Sequence, residues 1–335
     1  MASAPTRADL KGWTPVRVSQ RETGPMVEWC HTAGIEFDDP FFDQTLERCM
    51  RNPFRLLFRQ ETTLEEVLLR LADHPGIAPS GFVFHGSRCG STLITQMLTR
   101  VPSTLCLSEA GPIDTILRAD RIRPGVARAD QIDWLRAVVA ALAQPRRPGQ
   151  RHLVVKLDAW SILQLGLVRA AFPAVPWIFV YREPVEVLVS QLHHRGYHMI
   201  PGSLAPADVG LAPGDAERLR PEEYVAHILS RLYRAGMDGH VPGRSLLVDY
   251  RDLPDAVPDA IAPLFGIEID GPARGAMLAA AGRDAKNPVV PFEADGAAKR
   301  GAASAAVYEA AGGEVADAYN RLRSAHGAQV GQVAR

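Results

Sequence analysis

Short apolar runs alternate with stretches of helical period along most of this chain. Gly81–His85 (GFVFH) is a run of strand length. Over Ser91–Val101, Leu93, Ile94, Met97, Leu98 and Val101 follow at the spacing of one helix face. Thr104–Leu107 predicts a short strand. A helix begins near Asp130 and carries Ile132, Leu135, Val138, Val139 and Leu142. His152–Leu157 (HLVVKL) and Trp177–Tyr181 (WIFVY) read as strands of the buried type. Between them, Ser161 and Gln164 have capping-box spacing and predict a helix to Phe172. Pro184 suits the first turn of the next helix. The polar, Pro-rich stretch 201–220 predicts a loop, followed by a helix over 221–236 and a strand at Ser245–Asp249 (SLLVD). Strands alternating with helices predict an α/β fold, a three-layer, mostly parallel sheet flanked by helices. Its ligand belongs at the carboxyl ends of the strands.

The ends of the chain have a different pattern. Thr62 to Glu65 has capping-box spacing, and Leu64, Val67, Leu68 and Leu71 continue at helical period. Residues 1–79 are therefore expected to form an N-terminal accessory helical region, with the turn-rich Asp73–Ser80 as its boundary. Residues 80–300 form the α/β core and 301–335 a helical tail. In the tail, Tyr308–Leu322 reads as a packing helix interrupted by Gly312-Gly313.

Composition narrows the function. A net charge of -1 over 335 residues speaks against a nucleic-acid coat. No run approaches a membrane span, and MASAPTRADLKGW has no apolar stretch of the signal-peptide kind. The four Cys, at 30, 49, 89 and 106, are too scattered for a CxxC motif. The expectation is a cytoplasmic protein without disulfides and with no nucleic-acid or membrane partner; a homo-oligomer is compatible with it. The 37 basic residues comprise 33 Arg and only four Lys, at 11, 156, 286 and 299. Each Lys is worth locating, because the two cations are not interchangeable.

The chemistry gathers after the first core strand, at Gly86-Ser87-Arg88-Cys89-Gly90-Ser91-Thr92. A small-residue loop between strand and helix can curl its N–H groups around a phosphate, and the helix N-terminus adds its dipole. Ser91 and Thr92 add hydroxyls and Arg88 a charge. The nucleoside-triphosphatase pattern GxxxxGK[ST] is not met, since the Gly–Gly gap is one residue shorter and Ser91 stands at the Lys position. The alternative is a tight turn with small residues for packing. Cys89 could be a nucleophile at a helix N-terminus. No Arg follows at phosphatase spacing, so it reads as a small loop residue.

Two further constellations support a phosphate site. A strand ends in Arg182, Pro184 starts a helix, and Ser190 lies eight residues after the Arg. Two helical turns bring Ser190 back to the strand end, so an Arg and a hydroxyl can clamp a second phosphate. Lys156 and Asp158 lie at the end of HLVVKLD and point the same way by strand alternation. A Lys in a buried-type strand is unusual unless it is paired or catalytic. His193, His194 and His198 cluster near a helix end without a third metal ligand, so they read as lining of an acceptor cleft. Trp29, Phe41 and Phe42 read as N-terminal core or, alternatively, as an acceptor wall.

These motifs resemble the sulfotransferases that use 3'-phosphoadenosine 5'-phosphosulfate (PAPS). Arg88-Cys89-Gly90-Ser91-Thr92 resembles the family's 5'-phosphosulfate loop, and Arg182, Pro184 and Ser190 its 3'-phosphate motif. Leu247–Leu253 resembles a later strand end of the family. The Arg-type loop is more similar to the protein-tyrosine and bacterial branches than to the cytosolic phenol and steroid enzymes. The resemblance covers roughly residues 80–300 and implies a P-loop nucleotide-hydrolase-like sulfotransferase fold. It implies that Ser87, Arg88, Cys89, Gly90, Ser91 and Thr92 bind the 5'-phosphosulfate, that Arg182 and Ser190 bind the 3'-phosphate, and that Lys299 and Arg300, or Lys286, supply a closing loop. The family's RKGxxG pattern is absent there.

Asp158 stands where cytosolic members carry a catalytic His, and Glu109 stands where the protein-tyrosine branch carries its base. The resemblance therefore implies Glu109 as base, Asp158 as the alternative, and Arg88 and Lys156 as stabilisers of transferred charge. For Glu109 to be an effective base, burial should raise its pKa. The product would be 3'-phosphoadenosine 5'-phosphate (PAP), the acceptor a small molecule or peptide with a hydroxyl or amine, and no metal is expected. A P-loop kinase and a non-catalytic nucleotide-binding module are the competing classes.

Overall fold

The computed structural model describes residues 10–22, 24–70 and 73–333. Residues 1–9, which contain most of the stretch read for a leader, and Leu71 of the expected helical stripe lie outside them. The N-terminal region is not purely helical. Strands β1 (Trp13–Arg21), β2 (Gly24–His31) and β3 (Gln60–Thr63) form an antiparallel sheet in that order. A bulge between Pro15 and Arg17 breaks the alternation of β1, which is why it does not read as a strand from pattern alone. The capping box sits one residue later than its spacing suggested. Thr63 Oγ1 accepts the Glu66 N–H at 3.1 Å, and Glu66 Oε2 accepts the Thr63 N–H at 2.8 Å. Thr62 faces inward instead and accepts the Trp29 indole N–H at 2.9 Å.

The core sheet is built from β4 (Pro79–His85), β5 (Thr104–Ser108), β6 (His152–Lys156), β7 (Trp177–Tyr181) and β8 (Ser245–Asp249). All pairings are parallel, in the order β5-β6-β4-β7-β8. The centre of each strand is a run of apolar residues because both faces are covered. Phe82, Phe84, Leu153, Val155 and Phe179 enter one core, which also holds Val27 and Trp29 of the N-terminal sheet and Tyr319 and Leu322 of the tail. Val83, Cys106, Val154, Ile178 and Val180 enter a second core on the other face.

The helices follow with local differences. Ser91–Leu98 ends three residues before the apolar stripe does, because Val101 precedes Pro102, a position that disfavours helix. Ser161 does not cap a helix. Its hydroxyl is buried without a partner, inside the 3-10 turn Ala159–Gln164 that precedes the helix Leu165–Ala171. Past the core, helices Ala305–Ala311 and Glu314–Val333 are separated at Gly312 and Gly313. All four cysteines are buried, unpaired thiols. No helix among the described residues is long and apolar enough to cross a membrane.

The topology positions the site. The chain leaves β4 for β5 two places away, returns to β6, then crosses to β7 on the other side of β4. The connections diverge beside the carboxyl end of β4 and leave a crevice there. The Gly86–Thr92 loop begins at that point.

Candidate active site

A cleft of about 540 Å³ opens over the carboxyl ends of the strands. Ser87, Arg88, Cys89, Gly90, Ser91, Thr92, Glu109, Asp158, Arg182, Ser190 and Lys299 all line it. Lys156 lies behind this lining, fully buried, and reaches the cleft through Glu109. Arg300 is outside the lining and is bonded to Glu186.

The loop after β4 carries the backbone strain. Among the described residues, the non-glycine positions with positive φ are Ser87 (70°), Arg88 (52°) and Glu109 (55°), all at the cleft. Such conformations cost free energy and persist only where the surroundings enforce them. Here they turn the loop into a concave backbone nest. The N–H groups of Arg88, Cys89 and Gly90 have no acceptor among the described residues. Gly86 and Gly90 are required by contact. A Cβ on Gly86 would lie 2.3 Å from the Tyr233 ring, and one on Gly90 2.6 Å from Leu253. Cys89 is a fully buried loop thiol. Its Sγ donates to Val180 O at 3.1 Å, and burial pushes the thiol up to about 12.

Strand register explains the pairing of Glu109. Ser108 of β5 lies opposite Lys156 of β6, and the Glu109 N–H donates to Lys156 O at 2.8 Å. The left-handed turn at Glu109 then folds its carboxylate back onto the Lys156 ammonium, in direct contact. His85, at the end of β4, accepts the Ser87 N–H on Nδ1 at 3.1 Å. Its Nε2 lies 3.1 Å from Leu157 O and 3.5 Å from Glu109 Oε1. Those contacts assign the proton to Nε2. Burial lowers the imidazole's pKa and keeps it neutral.

The electrostatics differ from the expectation for Glu109. Burial alone would raise its carboxyl, but the charge of Lys156 and the hydrogen bond from His85 outweigh it. Glu109 is therefore held ionised, well below the usual carboxylate range. Asp158 moves the opposite way. Burial, then the charges of Glu109 and Asp114, raise it well above its ordinary value. Two neighbouring carboxyls pushed apart in this way can take different protonation roles.

A second cationic cluster surrounds Arg182, at the end of β7. Its Nε donates to Glu186 Oε2 at 2.6 Å and its Nη2 to Asp295 Oδ1 at 2.8 Å. Its guanidinium lies 3.9 Å from the Tyr250 ring centroid, a cation–π contact. The Tyr233 hydroxyl accepts the Arg182 N–H at 3.2 Å and donates to Arg182 O. Tyr233 thus fixes this backbone while its ring excludes a side chain at residue 86. Lys299 Nζ lies 2.6 Å from Asp295 Oδ2.

The two halves are tied together by Gln191, which is fully buried. Its Nε2 donates to Ser87 Oγ at 2.7 Å, and its Oε1 accepts the Gly196 N–H at 2.8 Å. Arg88 donates to His194 O at 2.5 Å. Of the N-terminal aromatics, Trp29 and Phe42 are core, whereas Phe41 lines the cleft. Lys156 Nζ lies 4.7 Å and Lys286 Nζ 5.7 Å from the Phe41 ring centroid. The segment bearing Phe41 is pinned by Gln96, which donates to Asp38 O at 3.1 Å. Burial, then the charges of Arg88 and Lys156, lower Lys286 to about 8. Among the described residues, no three His, Cys, Asp or Glu side chains are grouped to hold a metal ion.

His85, Gln191, Tyr233 and Asp295 were not identified from the sequence, and Tyr250 was noted only within the Leu247–Leu253 segment, without a role. His85, Gln191 and Tyr233 carry no motif, because their roles depend on contacts made across 51 to 147 positions or on tautomer. Asp295 had one signal, its place four residues before Lys299.

No family model matches the chain, and no curated protein matches it. Among solved structures it is similar to a sulfotransferase from Alicyclobacillus acidocaldarius, with TM-score 0.46 and 13% identity, covering 74% of this chain and 96% of that one. It is also similar to the sulfotransferase domain of the Synechococcus PCC 7002 olefin synthase, with TM-score 0.41 and 18% identity, covering 71% and 95%. A mouse sulfotransferase complexed with PAP matches with TM-score 0.34 and 12% identity, covering 77% and 88%. At these scores and identities the functional reading rests on the residues of the site.

Proposed function

We propose that the protein is a sulfotransferase, moving a sulfuryl group from PAPS to a hydroxyl or amine of a small-molecule or peptide acceptor. The observation that carries this reading is the pair of separate anion sites in one cleft. One is the backbone nest at Ser87–Thr92 with Arg88. The other is the cluster of Arg182, Ser190 and Lys299, where Arg182 and Lys299 converge on the carboxylate of Asp295. Asp295 acts as a stand-in anion and supports a second phosphate subsite. A donor with phosphates at both ends of one ribose, the 5' and the 3', matches two such sites.

In this reading the nest and Arg88 bind the 5'-phosphosulfate, and Arg182, Ser190 and Lys299 bind the 3'-phosphate. The acceptor oxygen bonds to sulfur as the bond from sulfur to the 5'-phosphate oxygen breaks, and PAP departs. Arg88 stabilises the charge on the transferred group and the departing oxygen, and Lys156 adds the field of its charge from behind Glu109. The acceptor proton passes to Glu109. In a loose transition state the new bond is little formed, so the proton leaves late, from an oxygen already made acidic. A weakly basic carboxylate then suffices. The donor's negative charge also competes for Lys156, which loosens its hold on Glu109 and raises the carboxyl toward the useful range. Asp158, biased toward its protonated form, can donate a hydrogen bond in the same cleft.

Calorimetry with PAP and with ADP tests the donor. Binding of PAP with no detectable binding of ADP is expected. Equal or stronger binding of ADP sinks the reading and favours a kinase. Transfer of sulfate from labelled PAPS to an acceptor tests the reaction itself.

A further inference from the structure

Outside the cleft, the segment 51–60 (RNPFRLLFRQ) turns large apolar side chains to solvent. Asn52 caps the short helix Pro53–Leu57, its Oδ1 accepting the Phe54 N–H at 3.0 Å, and Pro53 stands in the first turn. No residue of this helix is buried. Phe54, Leu56, Leu57 and Phe58 are 53%, 51%, 74% and 58% exposed. Single exposed apolar side chains are ordinary, but four within five positions make a patch, and patches mark interaction sites. The patch is held in shape. The Phe54 and Phe58 ring centroids lie 4.6 Å apart, and the Cys30 thiol of β2 donates to Arg55 O at 3.8 Å.

Charge points to what covers it. Segment 51–60 carries three Arg and neither Asp nor Glu. Neighbouring arginines are paired, Arg48 with Asp38 and Asp39, and Arg21 with Glu61. Arg51, Arg55 and Arg59 make no ion pair among the described residues; the Arg55 side chain donates to Ala33 O at 3.4 Å and Arg59 to the Met50 sulfur at 3.3 Å. A second copy docked by the same patch would set these arginines against one another, because an isologous contact pairs a surface with itself. A stable protein interface takes roughly 20–30 residues a side, far more than this turn of helix offers. Shallow entry into the boundary between lipid headgroups and acyl chains needs only a small apolar face flanked by cations.

We propose that segment 51–60 docks the protein on an anionic lipid surface. Phe54, Leu56, Leu57 and Phe58 enter the headgroup–acyl boundary, and Arg51, Arg55 and Arg59 meet the lipid phosphates. Docking of this kind is peripheral. It requires no spanning run, the feature whose absence set the expectation of no membrane partner. It goes beyond the sulfotransfer reading and does not depend on it.

Co-sedimentation of the full chain with vesicles is the test, using phosphatidylcholine alone and phosphatidylcholine with about one third phosphatidylglycerol. The parent is expected to bind the anionic vesicles about tenfold more tightly than the neutral ones, and salt at about 0.5 M should remove most of the difference. The double variant Leu57→Ser, Phe58→Ser should weaken binding to the anionic vesicles by about tenfold, through lost apolar burial. Arg51→Glu, at an exposed side chain, should weaken it by about tenfold through charge. Melting temperatures unchanged from the parent verify that the variants fold. No binding to anionic vesicles, equal binding to both kinds, or unchanged binding by either variant overturns the inference. So does a dimer of the parent in sedimentation velocity that the double variant dissolves, because a second copy would then cover the patch.

Discussion

Asp295 bridges Arg182 and Lys299, with Oδ1 2.8 Å from the Arg182 Nη2 and Oδ2 2.6 Å from the Lys299 Nζ. Burial would raise this carboxyl, but the hydrogen bonds from Lys299 and Arg182 outweigh it and hold it below its ordinary range. In the proposed reading, the ionised Asp295 thus occupies the cations that a 3'-phosphate would need. Asp295→Asn should tighten PAP binding by about tenfold, because the competing charge is gone. Arg182→Ala should weaken it by roughly 1.5–3 kcal/mol, the range for a hydrogen bond to a charged group. Calorimetry reads both changes. Weaker binding by Asp295→Asn would show that Asp295 belongs to the nucleotide site as a partner and not as a competitor.

Glu109 has to be tested without leaving Lys156 with no hydrogen-bond partner. Lys156 is fully buried, and removing one member of a buried pair costs about 3–5 kcal/mol. Glu109→Ala therefore mixes a catalytic effect with a stability effect. Glu109→Gln keeps a hydrogen-bond acceptor for Lys156. It should abolish sulfate transfer while PAP binding changes by less than about threefold. Transfer at the parent rate would remove Glu109 as the base and leave Asp158 as the candidate.

Asp158 has a consequence for stability. Its folded pKa is raised above the unfolded value of 3.8, so the folded state binds the proton more tightly. Its contribution is fully favourable below that value and declines as pH rises toward the folded pKa, by up to about 1.4 kcal/mol per pH unit. Asp158→Asn should remove this decline and raise the melting temperature at pH 7 relative to the parent. Thermal melts at pH 5, 6 and 7, about a unit apart, check the sign. A lower melting temperature at pH 7 contradicts it.

Cys89 stands in the Gly86–Thr92 loop, where a thiolate at a helix start would ordinarily be reactive. With its thiol raised to about 12, it should resist iodoacetamide in the folded protein at pH 8. Cys89→Ala should keep transfer activity. Mass spectrometry of the labelled native chain reads the first outcome and a transfer assay the second. Rapid labelling of Cys89 in the native state would reopen a nucleophilic role.

Gly86 tests the packing of the loop. A methyl there would meet the Tyr233 ring at 2.3 Å. Gly86→Ala should cost about 1–3 kcal/mol of stability, the range for overpacking. It should also weaken PAP binding, since Tyr233 holds the backbone of Arg182. Denaturant unfolding and calorimetry measure the two effects. A neutral result in both would mean that Tyr233 is free to move.

The α/β core was legible because its strands are buried on both faces. GFVFH, HLVVK and WIFVY are apolar runs whatever their partners, and the helices between them keep a 3.6-residue stripe. The strand–loop–helix turn after β4 and the Arg182–Ser190 spacing were legible for a similar reason. Their geometry is set by a strand end and one or two helical turns, all local in the chain. The N-terminal sheet was missed because the bulge at Pro15–Arg17 interrupts the two-residue period, and the capping box at Thr63 was displaced by one residue because two Thr stand side by side.

Sequence by itself determined the layered fold and the loop after β4, because each strand, helix and turn is encoded within about twenty neighbouring residues; it left the cation beside Arg182 open between Lys299 with Arg300 and Lys286, and the fold brought Lys299 to Asp295. Only the tertiary structure decided protonation and pairing. The register of β5 on β6 brought Glu109 to Lys156 across 47 positions and held it ionised, against the expectation that burial would raise it. The same folding placed Asp295 on Arg182, Gln191 on Ser87 and His198 at the cleft lining. Charge interactions depend on distance and burial, and neither is a property of neighbouring letters.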